Sequence, residues 1–143
     1  MTPLFTSTEE AENAFYEAIA HLDLDAFMQI WSDDEEIVCI HPTGQYLRGE
    51  KAIRESWQAI FSGNPRLFIH VARNTRWGNS LLTAHSIVET LHFENEKIPR
   101  GSLLVTHVFQ RGANGWRLLM RHASMGSEAG TPQTPELAQR ILH

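Results

Sequence analysis

The feature that most constrains this chain is a change of hydrophobic period at Ser62-Gly63-Asn64-Pro65. Before that break, apolar residues recur every three or four positions, as one face of a helix requires. After it they run in strand-like stretches separated by turn residues. Helices gathered first and an antiparallel meander afterwards is the α+β order, with the helices on one face of the sheet.

The helical half divides into three. Ser7 and Glu10 form a capping box, and Ala11, Ala14, Phe15, Ala18, Ile19 and Leu22 then recur on one face, predicting a helix over 8–21. Glu9, Glu12, Glu17 and His21 fall outside that stripe and read as the polar side. Asp23 caps a short second helix carrying Leu24, Phe27 and Trp31. Ile37 to Ile40 read as a brief strand ending at His41-Pro42, with a turn at Thr43-Gly44. A third helix over 50–62 places Ile53, Trp57, Ile60 and Phe61 on one stripe. Four strands are then expected at 66–76, 80–93, 102–111 and 115–125. Residues 1–125 make one domain; 126–143 form a tail in which Pro135, Leu137 and Ile141 suggest a short helix.

Composition narrows the functional classes. At 143 residues the chain can bury a core without metal or disulfide, and the lone Cys39, between Val38 and Ile40, reads as a buried small hydrophobe. A net charge of -5 without a basic run argues against nucleic acid or an anionic membrane surface as partner. No apolar stretch is long enough to span a bilayer and no signal-peptide pattern follows Met1, so a cytoplasmic protein is expected. The eight histidines show no HxH or HxxxH pair on one element, which argues against zinc. No cofactor motif is present.

In Leu81–Phe93 and Leu103–Phe109, apolar residues occupy both alternating faces. A sheet covered by helices on one side only should carry a polar second face. Something else covers it, and the expected cover is a second copy, giving a homodimer packed through the outer sheet face.

Several segments carry a resemblance. AFYEAIAHLDLDAFMQIWSDD (14–34), VCIHPTG (38–44), RGEKAIRESW (48–57) and WRLLMRHAS (116–124) resemble, in order and spacing, the nuclear transport factor 2-like superfamily. Within it the chain looks most similar to SnoaL-like proteins and to bacterial relatives of the calcium/calmodulin-dependent protein kinase II association domain. The resemblance implies a cone, also termed cystatin-like, in which three N-terminal helices pack in a strongly curved, mostly antiparallel sheet around a pocket of small-molecule size. Members include ketosteroid isomerases, dehydratases, epoxide hydrolases and cyclases, besides non-catalytic transport and association domains. The fold therefore leaves function open. The aspartate base of the isomerases corresponds to His41, their pocket tyrosine falls near Phe15, and their protonated aspartate near Thr106. Steroid isomerisation is therefore not expected.

What remains is a histidine-bearing pocket. His41 ends the first strand where the family places a functional residue. His122 shares parity with Met120 and Ser124, which the resemblance aims inward. A neutral imidazole makes a good general base near pH 7, and two histidines can divide the roles of base and acid, so His41 and His122 are the candidate catalytic pair. Phe15, Trp31, Tyr46, Trp57, Thr106, Met120 and Ser124 are the candidate ligand contacts. Each has a plainer reading: His41 can bond its turn, His122 can pair with Ser124, and the tryptophans can be core. Pattern leaves the direction of Glu89 open. Two functions follow. One is a pocket protein for a small, largely apolar ligand, extending to a cofactor-independent lyase, isomerase or cyclase. The other is a non-catalytic association module whose cone is filled by its own side chains.

Overall fold

A computed structural model describes residues 3–126. The helix expected around Pro135 lies outside the described residues. Helices α1 (Thr8–Ala20), α2 (Leu24–Ile30) and α3 (Glu50–Phe61) pack inside one six-stranded sheet. Its strands are β1 (Val38–Ile40), β2 (Tyr46–Arg48), β3 (Leu67–Gly78), β4 (Leu82–Phe93), β5 (Gly101–Gly112) and β6 (Gly115–Met125). The strand order is β2-β1-β6-β5-β4-β3, antiparallel throughout except where β1 runs parallel to β6. The helix-first α+β order and the curved cone expected from the sequence are both present. Strand β2 is an addition: only a turn was read there.

The helices start where the capping chemistry says they should. The Ser7 hydroxyl accepts from the Glu10 amide, and Asp23 accepts from the Ala26 amide, each satisfying a backbone donor that the first turn leaves free. Gly49 opens α3 with φ +91, a left-handed conformation that a residue with a Cβ avoids.

Two bulges bend the sheet and reset its side-chain parity. Ala72 is skipped in the β3–β4 register, and Leu119 is skipped between the pairs Phe109–Leu118 and Val108–Met120. An extra residue bends and twists its strand locally, closing the sheet around α1. It also exchanges the two faces for everything beyond it.

The core lies between helices and concave face. Phe15, Phe27 and Trp57 are buried, with ring centroids 4.9 Å apart for Phe15–Phe27 and 4.6 Å for Phe27–Trp57. Burying each such side chain contributes roughly 1.5–3 kcal/mol. A second cluster of Ile87, Leu91, Phe93, Leu103, Val105 and Ala123 fills the end where β5 begins and β6 ends.

The outer face is mixed rather than uniformly apolar. Trp77, Ala84, Val108 and Met120 form one row across four strands, and Val88 and Leu104 pair in another. Between them runs a polar row of Thr75, Ser86, Thr106 and His122. Trp77 is 60% exposed and Leu104 46%.

Candidate functional site

The concave face carries a row of chemistry-bearing residues that the sequence reading did not assemble. Cross-strand register aligns Arg76, His85, His107, Arg121 and Cys39 side by side over β3, β4, β5, β6 and β1. Glu89 lies four residues along β4 from His85, on the same face. From above, α1 lowers Glu12 and Tyr16, one helical turn apart, onto this row. Glu12, Glu89, His85, His107 and Arg121 are all buried.

Hydrogen bonds join them into one chain. Tyr16 Oη donates to Glu89 Oε2 at 2.6 Å. Arg121 Nη1 and Nη2 donate to the two Glu89 oxygens at 2.9 and 3.0 Å, a fork matched to a carboxylate. Arg121 Nη1 also lies 3.0 Å from His107 Nε2. Because guanidinium only donates, His107 Nε2 must accept, which leaves the ring's hydrogen on Nδ1. That Nδ1–H meets Glu12 Oε2 at 2.9 Å, and His85 Nδ1 meets the same oxygen at 2.8 Å. Asn74 donates to the other Glu12 oxygen.

The electrostatics follow from burial and these partners. Burial alone would raise the Glu12 carboxyl, but hydrogen bonds from His107 and His85 outweigh it and hold the group at about 2. Burial likewise opposes ionisation of Glu89, yet the adjoining Arg121 charge keeps it below the usual carboxylate range. His107 is pushed down by burial and then by Arg121, in keeping with its neutral tautomer. Tyr16 is pushed up, by burial and by the Glu89 charge. The ensemble is anionic at Glu12 and Glu89, cationic at Arg121, and sealed from water.

His41 stands apart from this chain. Its Nε2 lies 2.7 Å from Ser56 Oγ, and its ring packs 5.8 Å from Trp57. Trp57 in turn lies 5.6 Å from the Arg121 guanidinium carbon. Burial first, and the Arg121 charge second, lower His41 to about 4, so the imidazole is neutral at pH 7.

The structure disperses the other residues singled out from sequence. His122, Thr106 and Ser124 project from the outer face. His122 and Thr106 are cross-strand neighbours there, with Met120 half-buried on the same side. The inward reading of β6 fails because the Leu119 bulge shifts parity, bringing Arg121 and Ala123 inside in place of His122 and Ser124. On β5 the inward residue is His107, one position after Thr106. Tyr46 lies on edge strand β2 and is 62% exposed, so it walls no interior space. Trp31 is buried but faces the far end of the molecule, beside the β5–β6 hairpin. Phe15 and Trp57 are core residues, and Trp57 also lines the space described next. Glu12, read as polar surface, is 3% exposed because it lies one turn before the buried Phe15 and two before Ile19 on the helix face that meets the sheet. Cross-strand pairing of His85 with His107 was the signal within the sequence, but it needed the strand register to be read.

The space under the helices at the end where β3 begins is small. The space between α1, α3 and β3, lined by Ile19, Trp57, Ile60, Phe61, Leu67 and Ile69 among others, amounts to about 20 Å³, room for one water molecule at most. Neither His41 nor the Glu12–Arg121 chain borders it. Among the described residues, no three His, Cys, Asp or Glu side chains are placed to hold a metal ion, and no helix is long and apolar enough to cross a membrane.

A helix-filled cone closed by a curved six-stranded sheet is the fold of this domain. The chain is a member of the SnoaL-like domain family, whose model matches residues 9–128. A protein from Thiobacillus denitrificans, named for the calcium/calmodulin-dependent protein kinase type II association domain, is 32% identical. The match covers 87% of this chain and 99% of that one, with a TM-score of 0.77. A nuclear transport factor 2-like protein from Streptomyces avermitilis, named as a dehydratase, shares the fold at 21% identity and a TM-score of 0.73, covering 82% and 92% of the two chains. Among curated proteins, the F-box protein SKIP8 of Arabidopsis thaliana is 26% identical over 113 residues. That match takes in 78% of this chain and 46% of the plant protein, so the chain spans about half of that relative's length.

Proposed function

We propose that this domain is an association module, joining to a second copy of itself through the outer face of its sheet. The observation that carries the proposal is the uncovered apolar surface there: the Trp77, Ala84, Val108 and Met120 row, with Val88 and Leu104 beside it. Exposed patches of this kind on a sheet mark contact surfaces, and a face meeting its own copy across a two-fold axis is self-complementary. The polar row of Ser86, Thr106 and His122 between the apolar rows supplies groups that fix the register of such a contact. Two further features support the reading. The space between α1, α3 and β3 is nearly filled by Trp57, Phe61 and their neighbours, and His41 Nε2 and both His107 nitrogens are committed to hydrogen bonds. The relative at 32% identity is itself named for an association domain, and a matching stretch forms about half of a larger plant protein.

Sedimentation equilibrium at micromolar concentration tests the proposal. A mass twice that of one chain is expected; a monomer across that range overturns it.

A second reading is favoured by one observation, the neutral His41 seated between Ser56 and Trp57 beside the Arg121 charge. If Trp57 and Phe61 swing aside, the space at the open end of the cone becomes a ligand site with His41 at its edge as base. Thermal melts with small carbonyl compounds distinguish the two, since a ligand that binds only the folded state must raise the melting temperature.

A further inference from the structure

The two sides of this molecule differ sharply in charge. Residues 1–47 contain no lysine or arginine, while Glu9, Glu10, Glu17, Asp23 and the run Asp33 to Glu36 crowd the helices and the loop after them. The six strands show the reverse. Glu89 is their only carboxylate, and it points inward to Arg121. The outer sheet face carries no acid at all. Carboxylates appear only off its edges, at Glu36 beside β2 and at Glu94 and Glu96 in the β4–β5 loop; Glu36 pairs with Arg48 and Glu96 with Arg100.

What that face does carry is basic. Cross-strand register puts His122 of β6 between Thr106 of β5 and Ile40 of β1, with Ser86 and Thr75 beyond on one side and Tyr46 on the other. Arg73 stands on β3 in the next row, opposite Val88 and Leu104. His70 and His92 share this face near its β3 edge, where His92 stacks 5.5 Å from the Phe68 ring.

His122 alone among these histidines is placed in mid-sheet. Its side chain is exposed, and among the described residues it forms no hydrogen bond or ion pair. Its neighbours are Met120 and Ser124 on its own strand, Thr106 flanked by Leu104 and Val108 on β5, and Ile40 on β1. None of them is charged. The helices lie across the other face of the sheet, so no further element of the chain covers the ring.

We infer that the association proposed above is released by acid, with His122 as the group whose protonation opens the contact. The inference rests on that association. A face that meets its own copy meets an acid-free surface whatever the rotation between the copies, so a proton taken up by His122 finds no carboxylate on either chain. Histidine is the side chain that gains charge between pH 8 and pH 5. Covering a charged ring without a counter-ion costs more than covering a neutral one. Two-fold symmetry doubles that cost and adds two Arg73 charges to the same contact. Separate chains, whose rings stay in water, therefore bind protons more readily than the pair does. By linkage the pair comes apart as pH falls. The neutral ring, in contrast, can donate to or accept from the hydroxyls of Ser86 and Thr106 on the facing copy.

Sedimentation equilibrium at about pH 8 and about pH 5.5, at one ionic strength, gives the dissociation constant of the pair. Far-ultraviolet circular dichroism checks that the chain is folded at both. The wild-type constant should rise at least about tenfold at the lower pH. His122→Gln and His122→Leu, which cannot take up a proton, should each hold one value within about twofold. The double variant His70→Gln, His92→Gln should respond like the wild type. A wild-type constant that stays within about twofold overturns acid release and leaves the association standing. A tenfold rise that persists in both His122 variants overturns the assignment to His122. A single chain at about pH 8 overturns the association itself, and this inference with it.

Discussion

Arg121 grips Glu89 with both terminal nitrogens, at 2.9 and 3.0 Å, where the two side chains are 2% and 0% exposed. Taking both charges out of water is expensive, and the fork geometry, together with Tyr16 and His107, is what compensates. Neither residue touches solvent, so the pair acts on the fold rather than on anything outside it. Its partners fix how α1 sits on β4, β5 and β6.

Removing one member leaves the other charged and unpaired. Arg121→Met should therefore cost about 3–5 kcal/mol, seen as a lower urea midpoint with an unchanged slope. The double variant Arg121→Met, Glu89→Leu should recover much of that loss, because no lone charge is left behind. A double variant as unstable as the single one would show that the pair's shape, not its charge, is what the core requires.

Tyr16→Phe removes only a hydroxyl, but one that donates to an ionised carboxylate at 2.6 Å. A loss of about 1.5–3 kcal/mol is expected, with the far-ultraviolet spectrum unchanged. A loss below about 0.5 kcal/mol, the range usual for surface changes, would mean that Glu89 finds another donor.

Stability should fall with acid in two windows. His41 has a folded value of about 4 against an ordinary 6.5, so the unfolded chain binds more protons between those pH values. Glu12 has a folded value of about 2 against an ordinary 4.5. Its contribution is full above pH 4.5 and lost as pH falls through 2, on the order of 3 kcal/mol in total. Urea midpoints measured from pH 7 downward should show both slopes. His41→Gln should flatten the upper window in part, since His107 is shifted the same way, and Glu12→Gln should flatten the lower. Parallel curves for all three proteins would contradict these assignments.

Leu104→Glu places a charge in the middle of the outer face, where the native side chain is 46% exposed and makes little of the monomer's core. The variant should melt within about 0.5 kcal/mol of the parent monomer and sediment as a single chain. An unchanged dimer mass would move the contact away from this face.

Much of the architecture was legible in the sequence because it rests on local rules. Ser7 and Asp23 mark helix starts through capping, and Pro65 marks the change from helix to strand. The period of Ile53, Trp57, Ile60 and Phe61 marks the buried face of α3. The segments around Phe15, His41, Trp57 and Arg121, taken in order, were enough to point to the SnoaL-like family.

The site was less legible, and the reason is geometric. A side chain's direction on a strand depends on register, and the Leu119 bulge changes parity at a point no composition signal marks. His122 and Ser124 therefore read as inward although they face out, and Arg121 was passed over. Glu12 looked like surface because a buried carboxylate is recognisable only by its partners, His85 and His107, which lie more than seventy residues away. Local propensity and periodicity, acting within a few residues, determined the elements and their order. Packing between distant segments alone decided which histidines met a carboxylate, which face was left bare, and how little space the cone kept inside.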